Sequence, residues 1–221
     1  MASENEIEIK NIINAIVNKL IKVFSIDRFR NKIDGFVKEE YFDGMEKSEV
    51  EFDMNFTPES DVSFLSKYVN NNLEFITDEM GHNLRGALSR GLMDRDNLKQ
   101  LKTRIKTVFS DKKYVNRMKM VVRTEKNRAN NTGALDGARQ AERAGVKVKK
   151  YVDVLEDGVT SPICSAMDTK YGSEDKAIGL DKDFFVTVKS GNKTITVREQ
   201  APPFHPNCRS VLRFKRIKND N

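Results

Sequence analysis

The sequence predicts an α+β protein: a helical N-terminal region followed by a small, mostly antiparallel sheet packed on a helix. Apolar residues recur at intervals of three and four up to Gly145, which is the period of an amphipathic helix. After Gly145 short runs rich in Val, Thr and Phe replace this pattern, as is typical of strands. So small a sheet needs a helix on one face to be stable.

The helical region divides into four helices with recognisable ends. Capping side chains or a proline mark their starts, and glycines end the second and the fourth. Asp94 or Asp96 is expected to cap the third helix. The apolar stripes predict helices over residues 3–24, 57–91, 98–109 and 111–145. Residues 27–55 break the pattern, and they fit either a short helix around Ile33–Tyr41 or a connecting loop.

The strands follow in the last third of the chain. Residues 146–155 predict a first strand and Val211–Phe214 a last one. Between them, Phe184–Val188 and Thr194–Val197 flank Ser190-Gly191-Asn192, which predicts a hairpin. We therefore expect two domains, a helical docking and assembly region over residues 1–95 and an α+β module over residues 96–221.

Composition excludes several classes of protein. The chain has 221 residues, of which 38% are hydrophobic and 33% charged. It lacks a run of about 18 apolar residues, the length of a membrane span, and its first residues are acidic where a secretory signal would be basic. Two cysteines are too few for a disulfide-rich secreted scaffold. We expect synthesis in a reducing cytoplasm and no membrane partner.

Positive charge is concentrated in the middle of the chain. Residues 98–150 carry a net charge of +12, against −7 for residues 1–97 and +1 for residues 151–221. Such a segment attracts polyanions, so non-specific binding of double-stranded DNA is expected, unless these side chains are only the solvated faces of helices. The candidate DNA-binding residues are Lys102, Arg104, Lys106, Lys112, Lys113, Arg117, Lys119, Arg123, Lys126 and Arg128.

Three short motifs stand out in the C-terminal half of the chain. The first is Arg123-Thr124-Glu125, followed on the same helix by Arg128, Asn131 and Gly133. The second runs from Asp157 through Thr160-Ser161-Pro162-Ile163-Cys164 to Asp168. The third is Pro202-Pro203-Phe204-His205-Pro206-Asn207-Cys208-Arg209-Ser210.

In this order and at this spacing, the motifs resemble the Mu F-like head morphogenesis (minor head protein) family of tailed bacteriophages, over about residues 95–214. The resemblance implies a non-catalytic structural protein of the virion head, present in the host cytoplasm during assembly. It implies action at the portal vertex, with the portal protein, other head proteins and packaged or ejected DNA as partners. The family residues that it marks are Arg123, Thr124, Glu125, Asn131, Gly133, Pro203, His205, Pro206, Cys208 and Arg209.

The second and third motifs also contain candidate metal ligands. Cys164, His205 and Cys208 offer two thiols and an imidazole, and His205-x-x-Cys208 has the spacing of two ligands of one tetrahedral ion. Asp157 or Asp168 could supply the fourth ligand. Zinc prefers such a set of ligands, and its binding would add to the folding free energy of a small sheet. The second close pair of a zinc ribbon is missing, however, so zinc is a candidate and no cofactor is firmly indicated.

The same residues allow other interpretations. Cys164 and Cys208 could be buried hydrophobic residues, with His205 hydrogen-bonded in a turn, or they could form a disulfide after the virion leaves the cell. Glu125 and Arg128 are spaced for an ion pair along one helix.

Two rival functions belong to other classes. One is a metal-dependent enzyme, a nuclease or transferase, built on Cys164, His205 and Cys208 with the two aspartates. The other is a DNA-binding regulator that uses the helices of residues 60–110, with Gly91–Asp96 as the turn of a helix-turn-helix unit.

Overall fold

The computed structural model of the protein describes residues 14, 27–57, 78–91, 94 and 96–217. It combines helices with small antiparallel sheets, which confirms the α+β prediction. None of the helices in these ranges is long and apolar enough to cross a membrane. The helices are α1 (Asp27–Phe52), α2 (residues 78–91), α3 (Leu98–Phe109), α4 (Lys112–Arg143) and α5 (Pro162–Tyr171). The strands are β1 (Val148–Asp153), β2 (Ile178–Gly179), β3 (Phe184–Ser190), β4 (Lys193–Glu199) and β5 (Val211–Arg216).

The chain forms two compact units. The first unit comprises Met1–Ile33 and Lys67–Val121, and the second comprises Asp34–Ser66 and Val122–Asn221. Helices α1 and α4 each contribute residues to both units. The expected division of the chain at residues 95 and 96 stays a prediction.

In the first unit, α2 and α3 pack through the apolar stripe that the sequence predicts. Leu84 and Leu88 are buried, and Leu101, Ile105, Val108 and Phe109 of α3 pack against them. The expected cap of α3 was wrong by one residue. Asn97 caps the helix in a capping box with Gln100, because Asp94 and Asp96 both bind the guanidinium of Arg104 instead. The predicted helix over residues 3–24, and residues 58–77 of the second predicted helix, lie outside the described residues.

In the second unit, α1 packs along α4. The sequence left residues 27–55 as a short helix or a loop, and the structure has one helix of 26 residues there. Its buried side chains are three or four residues apart, as on one face of a helix; they are Val37, Tyr41, Met45, Ser48 and Phe52. Two long-range hydrogen bonds hold this face on α4: the Tyr41 hydroxyl donates to Asp136 at 2.9 Å, and the Ser48 hydroxyl donates to the Ala134 carbonyl at 2.9 Å.

Two antiparallel sheets complete the second unit. One has the strand order β2-β1-β5, and its longest pairing runs from Val148 opposite Arg216 to Asp153 opposite Val211. The other is the expected hairpin of β3 and β4. The Phe52 ring of α1 lies 5.8 Å from the Phe214 ring of β5, and this contact joins the helices to the first sheet.

Helix α5, which carries Cys164, is not among the helices that the sequence predicts. The start of this helix is well specified: Ser161 is its N-cap and Pro162 occupies the first turn. Tyr171 at its other end packs on β3, with its ring 5.1 Å from that of Phe184. This contact fixes α5 against the sheet, and with it the buried Cys164 in the first turn of the helix.

Candidate functional site

Two thiols and an imidazole meet in the second unit. Cys164 lies in the first turn of α5, and His205 and Cys208 lie in the loop before β5. The Cys164 Sγ is 3.0 Å from the His205 Nε2 and 3.7 Å from the Cys208 Sγ. All three donor atoms lie within 4.8 Å of one another, and no other described acidic, cysteine or histidine side chain joins the group. Both cysteines are buried, and the structure has them as free thiols.

The loop that carries His205 and Cys208 is held by side chains of α4. The Thr124 hydroxyl accepts a hydrogen bond from the Asn207 backbone at 2.9 Å. The Asn127 amide donates to the carbonyls of Cys208 and Ser210 at 3.1 and 3.0 Å. Asn207 has a φ of 64°, the left-handed conformation that asparagine tolerates better than most residues. The first sequence motif therefore positions the third.

Asn131 completes this attachment from the interior. Its side chain is 2% exposed, its Oδ1 accepts from the Leu212 backbone N–H at 2.7 Å, and its amide donates to the Ser210 carbonyl at 3.3 Å. These bonds tie the start of β5 to α4. The first sequence motif includes Asn131 but not Asn127, because only the fold shows which polar residues of a helix face a neighbouring loop.

The environment of His205 fixes the direction of its ring. Its Nδ1–H donates to the Pro206 carbonyl at 2.7 Å, so its Nε2 accepts from the Ser161 hydroxyl at 2.8 Å and faces the Cys164 thiol. A hydrogen bond with the Cys208 side chain raises the pKa of His205, and burial opposes this effect. Ser161 was not singled out as a site residue in the sequence, although it is the N-cap of α5.

The two thiols titrate as a pair, because their sulfur atoms are in hydrogen-bonding contact. The hydrogen bond between them lowers the pKa of Cys208 and raises the pKa of Cys164. Burial adds to the increase for Cys164, since a second buried thiolate would have no compensating charge. The pair therefore releases its first proton more readily than its second.

Neither of the two candidate aspartates belongs to the donor group. Both carboxylate oxygens of Asp157 accept hydrogen bonds from the Arg209 guanidinium, each at 2.7 Å. This interaction, with the Val159 backbone N–H, lowers the pKa of Asp157. Asp168 lies one turn after Cys164 in α5, close to Gly172. A catalytic triad of cysteine, histidine and aspartate is not formed, because the Nδ1 of His205 binds a carbonyl rather than Asp157.

A small cavity opens beside Cys164 and His205. Its volume is about 30 Å³, and Ser161, Cys164, His205 and Ser210 contribute to its lining. About 10–15 Å³ suffices for one water molecule, so the cavity admits one or two waters and excludes a nucleotide or a peptide.

A buried lysine supports the other end of the loop. Lys150 of β1 is fully buried, and its Nζ donates to the carbonyls of Leu180 and Gln200 at 2.8 Å each. The same Nζ lies 5.2 Å from the Phe184 ring centre. Burial lowers the pKa of Lys150 to about 8, and the positive charge of Arg139 contributes to this effect. The burial of Lys150 could not be predicted from the sequence, because a lysine in an alternating strand ordinarily points to solvent.

Half of the predicted DNA-binding residues are engaged within the protein. Arg104 binds Asp94 and Asp96, Lys126 binds Glu40, and Arg128 forms the expected ion pair with Glu125 at 2.9 Å. In the first unit, Lys113 and Arg117 both bind Glu79. Within the described residues, the exposed candidates with no such partner are Lys106, Lys112, Lys119 and Arg123.

The motif helix, the α5 turn and the loop before β5 form one connected structure, and the same stretch of sequence is matched by a known family. The family is described as phage Mu protein F like protein, and the match covers residues 79–213, more than half of the chain. The chain belongs to the phage Mu protein F-like family. This family membership indicates a phage head morphogenesis protein, structural and associated with the virion. No significant match was found among curated proteins or solved structures.

Proposed function

We propose that this Mu F-like protein is a minor head protein of a tailed phage that acts without catalysis at the portal vertex. The observation that carries the proposal is the family match over residues 79–213, which includes all three motifs. In support of a structural role, the motif residues Thr124 and Asn131 bind the backbone of the 201–212 segment rather than lining a substrate pocket. The portal protein and other head proteins are the proposed partners, and the helical region of residues 1–95 is the proposed docking region.

Contact with packaged or ejected DNA is the second part of the proposal. The segment of residues 98–150 carries a net charge of +12, and four of the candidate DNA-binding residues in it are exposed and have no ion-pair partner among the described residues. Lys112 and Lys119 are seven residues apart on α4, so they lie on one face of that helix. Charges without an internal partner are free to replace the counterions of a phosphate backbone, whereas paired ones first have to break an ion pair.

Arg123 has a particularly open position in the second unit. It is exposed, and it lines a cleft of about 530 Å³ together with Lys47, Lys126 and Asn130. Lys126 forms an ion pair with Glu40, and Lys47 donates a hydrogen bond to Asn130. Among the described cations that line this cleft, Arg123 is the one whose side chain has no such partner. We assign to it a phosphate contact.

The portal role is tested by co-expression of the full chain with the portal protein of the same phage. Size-exclusion chromatography is expected to show the two proteins in one complex, and the chain is expected in purified virions by mass spectrometry. Separate elution at every concentration, together with virions that lack the chain, would contradict the proposal.

DNA contact is tested by the salt dependence of binding to a duplex of arbitrary sequence. A variant with Lys106, Lys112, Lys119 and Arg123 all changed to Gln removes four unpartnered charges. The slope of log K against log salt is expected to fall by about 3 to 4, at 0.9 per phosphate contact. The matched control changes four exposed cations outside this segment, Lys38, Lys189, Lys193 and Arg216, to Gln. If both variants lose the same slope, the assignment to these residues is wrong.

A further inference from the structure

We propose that Cys164, His205 and Cys208 hold one zinc ion as a structural site, with a water molecule as the fourth ligand. Among the described residues, these three side chains form the one group of possible metal ligands, with donor atoms within 4.8 Å of one another. Thiolate and imidazole ligands in a tetrahedral set are what zinc prefers. The proposal concerns the packing of this loop and is independent of portal or DNA binding.

The separation of the two sulfur atoms fits a shared zinc ion. Two thiolates at about 2.3 Å from a tetrahedral zinc lie about 3.8 Å apart, and the observed Sγ–Sγ distance is 3.7 Å. A disulfide would require about 2.05 Å. The Cys164 Sγ and His205 Nε2 are 3.0 Å apart, against about 3.6 Å for two ligands of one zinc. Zinc binding therefore requires these two atoms to move apart by about 0.6 Å.

The imidazole is already oriented as a ligand. Zinc-binding histidines usually donate their second ring N–H to a carbonyl or carboxylate, which fixes the tautomer. The His205 Nδ1–H does so with the Pro206 carbonyl at 2.7 Å, and its Nε2 faces the two sulfur atoms. The Nε2 lone pair, which accepts a hydrogen bond from the Ser161 hydroxyl when no metal is bound, is the one that would bind the zinc.

The surroundings suit two thiolates. The Ser210 hydroxyl donates to the Cys164 sulfur at 3.3 Å, a bond that stabilises a thiolate ligand. Two thiolates and one Zn²⁺ together are neutral, so binding leaves no net charge in the buried site.

The fourth ligand differs from the two aspartates that the sequence suggested. Asp157 is bound by Arg209 through both oxygens, and Asp168 lies outside the donor group. The cavity of about 30 Å³ beside Cys164 and His205 has room for one water on the metal. The Ser161 hydroxyl, 2.8 Å from the His205 Nε2, is placed to accept a hydrogen bond from that water. Because Cys164 belongs to α5 whereas His205 and Cys208 belong to the loop before β5, the zinc joins these two segments.

The test begins with the metal content of the full chain, purified from zinc-supplemented cells. About one zinc per chain is expected, with near-complete loss in His205→Asn and in Cys208→Ser. His82→Asn is the matched control, because His82 is the other histidine and is exposed. Ser161→Ala is expected to keep the zinc. Loss of zinc in Ser161→Ala would overturn water as the fourth ligand, and a zinc-free wild type would overturn the site.

A second measurement does not depend on whether the variants fold. The wild-type chain is stripped with a chelator, kept reduced, and titrated with Co²⁺. We expect thiolate-to-cobalt charge-transfer absorption together with the intense visible bands of tetrahedral cobalt, saturating at about one ion per chain. Addition of Zn²⁺ is expected to remove both. The weak spectrum of cobalt without thiolate ligands would contradict the proposal, as would a disulfide between Cys164 and Cys208 in freshly purified protein.

Discussion

A Cβ atom on Gly133 would lie 1.9 Å from the carbonyl oxygen of Tyr41, so the backbones of α4 and α1 touch at this point. The contact is reciprocal, since a Cβ on Gly44 of α1 would lie 1.9 Å from the carbonyl oxygen of Asn130 on α4. Two glycines, one from each helix, therefore allow the helices to approach more closely than side chains would permit. Asn127 and Asn131, on the same helix α4 as Gly133, bind the loop that carries Cys208 and the start of β5.

We expect Gly44→Ala to destabilise the protein by about 3 kcal/mol or more, because the added methyl group meets backbone atoms that cannot move independently. Gly35→Ala is the matched control on the same helix. A Cβ at Gly35 meets nothing within 4 Å, so this change is expected to stabilise the protein by about 1 kcal/mol through helix propensity. Urea unfolding of both variants is the measurement. Equal stabilities would show that the helices are not in backbone contact.

Asn131→Ala is expected to cost about 1 to 3 kcal/mol, because it leaves the buried Leu212 N–H without an acceptor. The Asn131 Oδ1 accepts from that group at 2.7 Å, and the side chain is 2% exposed. Asn116→Ala, at an exposed position of the same helix, is expected to have little effect on stability. Hydrogen exchange gives a second measurement, in which the Leu212 amide should lose protection in Asn131→Ala. Unchanged protection there would contradict the assigned bond.

The elements that the sequence predicts well are those whose pattern is local. Helices α3 and α4 and the hairpin carry clear periodicity and turn signals, and they occur where expected. Helix α1 was harder to recognise, because exposed acids and two glycines interrupt a stripe of buried residues. In the sequence, Gly44 suggests that a helix ends. In the fold, it lies inside α1 and contacts the backbone of α4, a helix that lies far along the chain and could not be anticipated from local pattern.

In the candidate site too, local features could be predicted from the sequence and long-range contacts could not. The residue types and spacing of Cys164, His205 and Cys208 indicate a shared site, and the structure brings the three together. The place of Asp157 could not be predicted, because its binding to Arg209 depends on how two distant loops meet. Spacing also gave no signal for Asn127, Ser161 or Lys150, whose partners are backbone groups of other segments.

Asp157 gives a prediction for acidic conditions. Arg209 lowers the pKa of Asp157, so the native state favours the carboxylate. Such a group stabilises the fold above its ordinary pKa of about 4, and this contribution is lost as the pH falls further. We therefore expect the wild type to be more stable than Asp157→Asn at pH 6, with the difference shrinking between pH 4 and pH 2. Glu199→Gln, at an exposed position of β4, is the control and should show no such trend.

Lys150 gives a prediction for alkaline conditions, with the opposite sign. Burial lowers the pKa of Lys150 to about 8 in the native state, against about 10.4 in an unfolded chain. Below pH 8 the ammonium is charged in both states, and its desolvation weakens the fold. Between pH 8 and about 10.4 the unfolded chain binds more protons than the native state, so this group makes stability rise with pH. Arg139 lowers the pKa of Lys150 further, and Asp181 and Asp183 oppose it.

We expect Lys150→Met to remove this rise, because methionine cannot titrate. The variant also loses the bonds to the carbonyls of Leu180 and Gln200, so its stability at pH 7 alone does not test the charge. The informative quantity is the difference in unfolding free energy between wild type and variant, measured in urea from pH 7 to pH 10. It should grow by up to about 3 kcal/mol in favour of the wild type. Lys149→Met, at the exposed neighbouring position, should leave the difference constant, and a constant difference for Lys150→Met would mean that the ammonium has an ordinary pKa.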